Sequence, residues 1–277
     1  RHRRAPHAAA TTERTVRSSA PPPHDPSAPH AHKKRFGQHF LHDPGLIRRI
    51  VQAVAPRPGQ RLIEIGPGEG AITLPLLREA GQLTVIELDR DLIPRIQAAA
   101  QGVGELEVIH ADVLTVDFTA LARGGTLRLV GNLPYNISSP ILFHCLEHAG
   151  AIADMHFMLQ KEVVERMAAP PGSKVYGRLS VMLQLVCRVE PLFRVPPGAF
   201  TPPPKVDSAV VRLTPLPEAE RPDADPVRIE RVVRHAFGQR RKTLANALQG
   251  VLTPAQITAA GVDPKVRAEQ LAPAQFV

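Results

Sequence analysis

From Leu62 to Leu159 short apolar runs alternate with amphipathic stretches of helical length, and this rhythm leaves few folds open. RLIEIG (61–66), LTVIELD (83–89), LEVIHAD (106–112), LRLVGN (127–132) and DMHFMLQ (154–160) read as strands. AITLPLLREA (71–80), DLIPRIQAAA (91–100), SSPILFHCLEHA (138–149) and KEVVERMAA (161–169) read as helices, with Ser138 and Ser139 as N-cap candidates for the third. Strands joined by helices in this way argue for a mostly parallel α/β sheet. GRLSVMLQLVC then has helical spacing, CRVEPLFRV and VDSAVVRLTPL are β-like, and the Pro-rich, charged run 214–226 reads as a linker. Beyond it VRIERVVRHAFGQ, RKTLANALQ and TPAQITAAG have helical spacing, which predicts a small all-helical domain over 219–277 behind an α/β domain over 33–218.

Residues 1–32 form a basic tail of Arg, His, Ala and Pro with no hydrophobic period, a composition that cannot bury enough apolar surface to fold. Five Arg oppose Glu13 and Asp25, so three of the chain's eight net positive charges sit there. An Arg-rich, acid-poor start also fits a transit peptide, whereas a secretory signal would need an apolar segment that is missing. The tail's five His lack ligand spacing, and Cys145 and Cys187 stand 42 residues apart without a CxxC pattern. No metal site is expected from either, and the cysteines read as buried thiols of a reducing, cytoplasmic compartment. No apolar stretch approaches the ~20 residues of a membrane span. The net charge of +8 favours a polyanionic partner such as nucleic acid.

In open α/β sheets ligands bind beyond the carboxyl ends of the strands. The first strand ends in Glu64-Ile65-Gly66-Pro67-Gly68-Glu69-Gly70, where alternate glycines let the backbone turn tightly and approach a ligand. The second ends in Glu87, 21 residues after Gly66, placed to take both hydroxyls of a ribose. Asp112 ends the third and can accept from the amino group of an adenine, or cap the following turn. Glu64 reads equally as a carboxylate that holds the glycine loop through backbone N–H groups. The loop is GxGxG and lacks the third glycine of the GxGxxG dinucleotide spacing, which favours a nucleoside cofactor without phosphates, such as S-adenosylmethionine.

The fourth strand runs into Asn132-Leu133-Pro134-Tyr135. Alone, these four residues read equally as a strand-to-turn corner with a buried Tyr. As chemistry, they offer an amide, a proline-stiffened backbone and a ring for a flat nitrogen base. The N6 lone pair of adenine is delocalised into the ring and attacks poorly. Two acceptors, the Asn132 side-chain oxygen and the Leu133 carbonyl, would draw electron density onto that nitrogen as it meets a sulfonium methyl.

RFGQHFL (35–41), EIGPGEG, VIELD, GNLPYN, HFMLQKEV, AFTPPPKVDSAVVRL and QRRKTLANAL occur in the order expected of the KsgA/RsmA ribosomal RNA adenine dimethyltransferases, which the chain resembles from about Lys33 onward. The resemblance implies a Rossmann-like class I S-adenosylmethionine-dependent methyltransferase sheet with a small C-terminal helical domain. It implies transfer of two methyl groups to N6 of each of two adjacent adenosines in a hairpin loop near the 3′ end of small-subunit (16S) ribosomal RNA. Cofactor contacts then fall on His39, Leu41, Gly66, Glu87, Asp112 and Asn132, and His39 stands where the family often has Asn. Target-base contacts fall on Asn132, Leu133 and Tyr135, with Phe200 as a second aromatic face or as plain packing. Partners would be the immature small subunit and its RNA, met by a monomer through Arg240, Arg241 and Lys242 at a helix start, with Lys33-Lys34-Arg35 similar. The tail is not typical of the family, and the chain stops at Phe276-Val277, short of its last helix.

Three other functions fit parts of this pattern. A related large-subunit RNA adenine methyltransferase of the macrolide-resistance type shares the cofactor motifs, but HFMLQKEV, SAVVRL and KTLANAL favour the assembly enzyme. A non-catalytic RNA-binding assembly factor would not need an intact cofactor pocket. A nicotinamide oxidoreductase has no evident use for Asn132 to Tyr135.

Overall fold

The computed structural model describes residues 37–277. The tail, Lys33-Lys34-Arg35 and the first two residues of RFGQHFL lie outside the described residues.

The elements in chain order are β1 (Phe40–Leu41), α1 (Pro44–Val54), β2 (Leu62–Ile65), α2 (Thr73–Ala80), β3 (Gln82–Glu87), α3 (Ile93–Ala100), β4 (Glu105–His110), α4 (Phe118–Ala122) and β5 (Leu127–Asn132). There follow α5 (Ser138–Glu147), β6 (Ile152–Gln160), α6 (Lys161–Ala168), α7 (Arg178–Gln184), β7 (Cys187–Val195), β8 (Phe200–Thr201), β9 (Ser208–Pro215), α8 (Pro226–Gly238), α9 (Leu244–Ala247) and α10 (Pro254–Ala259). Seven strands form one sheet in the order β4-β3-β2-β5-β6-β9-β7. Pairing is parallel from β4 to β6 and antiparallel where β9 inserts between β6 and β7. The chain winds outward from β2 in one direction and from β5 in the other, so the switch point lies between these two carboxyl ends. Pro191 is tolerated in β7 because that strand is an edge; the register shifts beside it.

Side-chain alternation sorts the sheet's residues onto two faces. Ile63, Ile65, Leu127 and Leu129 join Phe118, Leu142, Cys145 and Met167 under α4, α5 and α6. Leu62, Leu83, Val85 and Val130 meet Val51, Leu76 and Leu77 of α1 and α2 on the other face. Each fully buried Leu, Ile or Phe there contributes about 1.5–3 kcal/mol relative to exposure. A third core holds the C-terminal helices: Ile229, Val233, Leu244, Ile257 and Phe276 pack with Tyr176, Val181 and Met182. Tyr176 is fully buried and donates to the Leu271 carbonyl at 2.6 Å. The helical lobe therefore takes part of its core from residues that precede β7 and β9.

Two local expectations change. Neither Ser138 nor Ser139 caps α5: Ile137 holds that position without a side-chain bond. Ser138 Oγ instead donates back to the Tyr135 carbonyl at 3.3 Å. Pro140 in the first turn has no N–H, which removes one donor that a cap would serve. RKTLANALQ forms only the four-residue α9, and Arg240, Arg241 and Lys242 lie in the turn before it, because extended Thr243 restarts the helix.

His156, on β6, is 3% exposed. The Arg212 Nε–H donates to its Nε2 at 3.1 Å, which puts the proton on Nδ1, an atom without a partner. Burial, opposed by Asp154 and reinforced by Arg212 and Arg128, holds its pKa down to about 4. The folded state thus takes this proton less readily than the unfolded chain, so stability present above pH 6.5 is lost as pH falls through about 4. Urea unfolding across that window should show a falling midpoint in the wild type and a shallower fall in His156→Gln.

Candidate active site

A cavity of about 350 Å³ opens beyond the carboxyl ends of β2, β3 and β5 and the turn after β4. The residues expected from each strand end all reach it: Gly66 and Gly68, Glu87, Asp112, and Asn132 to Tyr135. The segment Gly37–Leu41 closes one side, held there by antiparallel pairing of β1 with β8, Phe40 opposite Thr201 and Leu41 opposite Phe200. Gln38 donates to Asp89 at 2.9 Å and ties this segment to the loop after β3.

Local geometry explains the glycine loop. Gly68 has φ +57°, and a Cβ there would stand 3.0 Å from the Phe40 ring. Gly70 has φ +90°, and its Cβ would meet Ile96 at 2.5 Å. Both positions demand glycine on backbone and packing grounds alike. Gly68 N–H donates weakly to Glu87 Oε2 (3.4 Å), and Asp89 N–H donates to Oε1 at 2.8 Å. Glu87 is thus clamped by the loops of two strands. Burial is the main reason its pKa is raised, with these backbone donors opposing.

Asp112 caps the turn after β4: its Oδ1 accepts from Leu114 N–H at 3.0 Å, while the residue lines the cavity. Asn132 donates from Nδ2 to the His39 carbonyl at 3.0 Å, which leaves Oδ1 as the acceptor of that amide. Among the described residues nothing donates to the Leu133 carbonyl, while the Leu133 side chain is buried in the core. Tyr135 is anchored by a short hydrogen bond between its hydroxyl and Ser208, and burial raises its pKa.

Two assignments shift. Phe200 does not line the cavity: it is 2% exposed and packs in the core around Leu41 and Val210, so it backs the wall and offers no open face to a base. The ring beside Tyr135 is His39, stacked at 5.4 Å with planes 25° apart. His39 Nδ1–H donates to the Pro202 carbonyl at 2.8 Å, so its donor is spent on the protein. Arg240 is likewise engaged, with the Tyr176 carbonyl at 3.0 Å and Glu269 at 3.5 Å, while Arg241 and Lys242 remain exposed.

Glu64 lies deeper than a loop-holding carboxylate would. Its carboxyl is fully buried at the cavity floor, where Oε2 accepts from the Thr73 hydroxyl at 2.6 Å and Oε1 has no partner. It holds a side chain of α2, not the loop's backbone N–H groups. Burial pushes its pKa up to about 8, with Glu87 adding to the rise. Glu64, Glu69, Glu87 and Asp112 line the cavity, and neither Lys nor Arg does. Such a chamber in a basic protein suits a cationic ligand and opposes a pyrophosphate.

A parallel sheet with an antiparallel pair at one end, a glycine loop after its first strand and acids after the next two define a class I S-adenosylmethionine-dependent methyltransferase. A profile described as "Ribosomal RNA adenine dimethylase" matches residues 29–277, and the chain belongs to that family. It is 69% identical over 245 residues to "Ribosomal RNA small subunit methyltransferase A" of Xanthomonas campestris pv. campestris (strain 8004), covering 88% of this chain and 94% of that one. The same-named protein of Xanthomonas axonopodis pv. citri (strain 306) is 67% identical, with the same coverage. Among solved structures, a dimethyladenosine transferase from Plasmodium falciparum superposes with a TM-score of 0.75 at 26% identity, over 86% of this chain and 94% of that one. The 23S rRNA methyltransferase ErmE superposes at 0.65 with 30% identity, over 86% and 96%.

Because the folded pKa of Glu64 lies above its unfolded value of 4.5, its contribution to stability is complete below pH 4.5 and is lost as pH rises through about 8. Ligand-free protein should therefore lose stability across that window. Glu64→Gln should flatten this decline in thermal unfolding; an unchanged slope would mean the carboxyl ionises freely in the fold.

Proposed function

We propose that this chain dimethylates N6 of two adjacent adenosines in the hairpin loop near the 3′ end of small-subunit ribosomal RNA. The observation that carries this reading is the pair of open acceptors at the end of β5, Asn132 Oδ1 and the Leu133 carbonyl, on the wall of an acid-lined cavity. One amide acceptor and one carbonyl acceptor match the two protons of an exocyclic amine. The 69% and 67% identical relatives named as small-subunit methyltransferases support the choice of RNA.

S-adenosylmethionine supplies a methyl group on a positively charged sulfur. The residues present fit it: Glu64 Oε1 is orphaned and neither Lys nor Arg lines the cavity, while Glu69 at its rim pairs with Arg95 at 3.4 Å. Glu87, held by Gly68 and Asp89, takes ribose hydroxyls, and Asp112 takes an adenine amino group. On the substrate side, Asn132 and Leu133 pull electron density onto the amine while Tyr135 and His39 form the aromatic wall that orients the base. No dedicated base is needed, since positioning and placed dipoles supply the rate gain.

Arg241 and Lys242, exposed in the turn before α9, contact RNA phosphates, with Arg240 holding that turn to the body through Tyr176 and Glu269. The immature small subunit is the substrate particle, and the protein acts as a cytoplasmic monomer. Among the described residues no helix is long and apolar enough to cross a membrane. The likeness to ErmE favours large-subunit RNA as a second reading. Methylation of immature small subunits compared with naked large-subunit RNA decides between them, and activity on the latter alone would overturn the first.

Asn132→Ala should keep RNA binding and lose methyl transfer by about 10²–10³ in rate, as when one pre-placed dipole is deleted elsewhere; incorporation of labelled methyl groups measures it. Arg241→Ala should weaken RNA binding and lower the salt slope by about one, read from binding isotherms at several salt concentrations.

A further inference from the structure

The far end of α5 carries a cluster that the methyltransferase reading leaves unused. His144, Glu147 and His148 each turn a ligand atom to a common point, and the three atoms lie within 4.8 Å of one another. The two imidazoles are half-buried, and the Glu147 side chain is 74% exposed. We propose that His144, Glu147 and His148 form a binding site for a borderline divalent metal ion, with zinc the best match to two imidazole nitrogens and a carboxylate oxygen.

Hydrogen bonds already orient both rings and set the tautomer of the first for this task. His144 Nε2 lies 2.7 Å from the Val116 carbonyl, which can only accept, so the proton is on Nε2 and the Nδ1 lone pair is open. Nδ1 stands 3.8 Å from Glu147 Oε2. On His148, Nδ1 lies 2.8 Å from the Thr119 hydroxyl and 3.7 Å from the Asp117 carboxylate. The Thr119 N–H donates to the same nitrogen at 3.4 Å, so in the metal-free ring Nδ1 accepts and the proton sits on Nε2. A metal ion at Nε2 requires the other tautomer, with the proton on Nδ1, where the Thr119 hydroxyl and Asp117 can accept it in place of the Thr119 N–H contact. A backbone carbonyl behind one ring and a hydroxyl and carboxylate behind the other are the partners that orient metal-ligating histidines.

Geometry and field agree with the chemistry. His144 and His148 are four residues apart at the end of α5, the spacing that puts two imidazoles on one helix face. Their rings are 5.0 Å apart, and both pack against Phe118, which fixes them. A tetrahedral zinc ion with bonds of about 2.0–2.1 Å needs ligand atoms about 3.4 Å apart. The exposed Glu147 side chain can swing in to close the remaining gap. The last-turn carbonyls of α5 add negative potential where the cation sits. Such an ion would brace the last turn of α5, whose rings the Val116 carbonyl and Thr119 already contact.

The test uses the full chain, stripped by a chelator and titrated with Zn²⁺ in a calorimeter beside His148→Gln and Glu147→Gln. The tail's five His supply the same background in all three proteins. Wild type should bind one more zinc ion than His148→Gln, and Glu147→Gln should bind that ion at least about tenfold more weakly. Co²⁺ in place of Zn²⁺ gives a second readout: visible absorption of a tetrahedral site in wild type, absent in His148→Gln with its circular dichroism unchanged. Equal stoichiometry and affinity in all three proteins, with the same Co²⁺ spectrum, would overturn the proposal.

Discussion

The structure turns on two carboxylates buried in one chamber without a cation beside them. Glu64 has one oxygen on Thr73 and the other on nothing, and each oxygen of Glu87 accepts one backbone N–H, from Gly68 or Asp89, and keeps a further lone pair. Burying like charges costs several kcal/mol unless a proton or a cation relieves them. A sheet that places them at adjacent strand ends is organised for a positive ligand. The glycine loop, the β1–β8 pairing and the Gln38–Asp89 bond hold the walls around that charge.

Charge is divided between chamber and exterior. The protein carries a net +8, yet its cavity is lined by four acids and neither Lys nor Arg. The outer excess draws an RNA polyanion to the surface, while the inner acids favour a sulfonium and reject phosphates. One chain can thus hold a cationic methyl donor and a polyanionic acceptor without the two competing for one site. Asn132 stands on the cavity wall, its amide nitrogen fixed by the His39 carbonyl and its oxygen open.

Much of this was legible in order along the chain. Continuous apolar runs separated by amphipathic ones placed every strand from β2 to β6 within a few residues, and the strand ends delivered Gly66, Glu87, Asp112 and Asn132 to one cavity. Those positions are local: a strand's last residue is where the backbone leaves the sheet. Phe200 stayed open between two roles because an aromatic residue beside three prolines looks the same whether it faces a ligand or, as here, packs against the core around Leu41. Arg240 looked like its basic neighbours until the fold brought Tyr176 and Glu269 to it.

The sequence by itself determined the alternation of elements, the glycine positions and the identity of the strand-end side chains, because each depends on residues near one another in the chain. Tertiary structure alone decided that Glu64 lies buried with an orphaned oxygen and that His39 is the ring that stacks on Tyr135. It also decided that the C-terminal helices share a core with Tyr176 and Val181. It turned the HCLEH end of α5 from a helical stretch into three ligand atoms backed by Val116, Thr119 and Asp117. Burial and hydrogen-bond partners come from segments tens of residues apart, and no local pattern carries them.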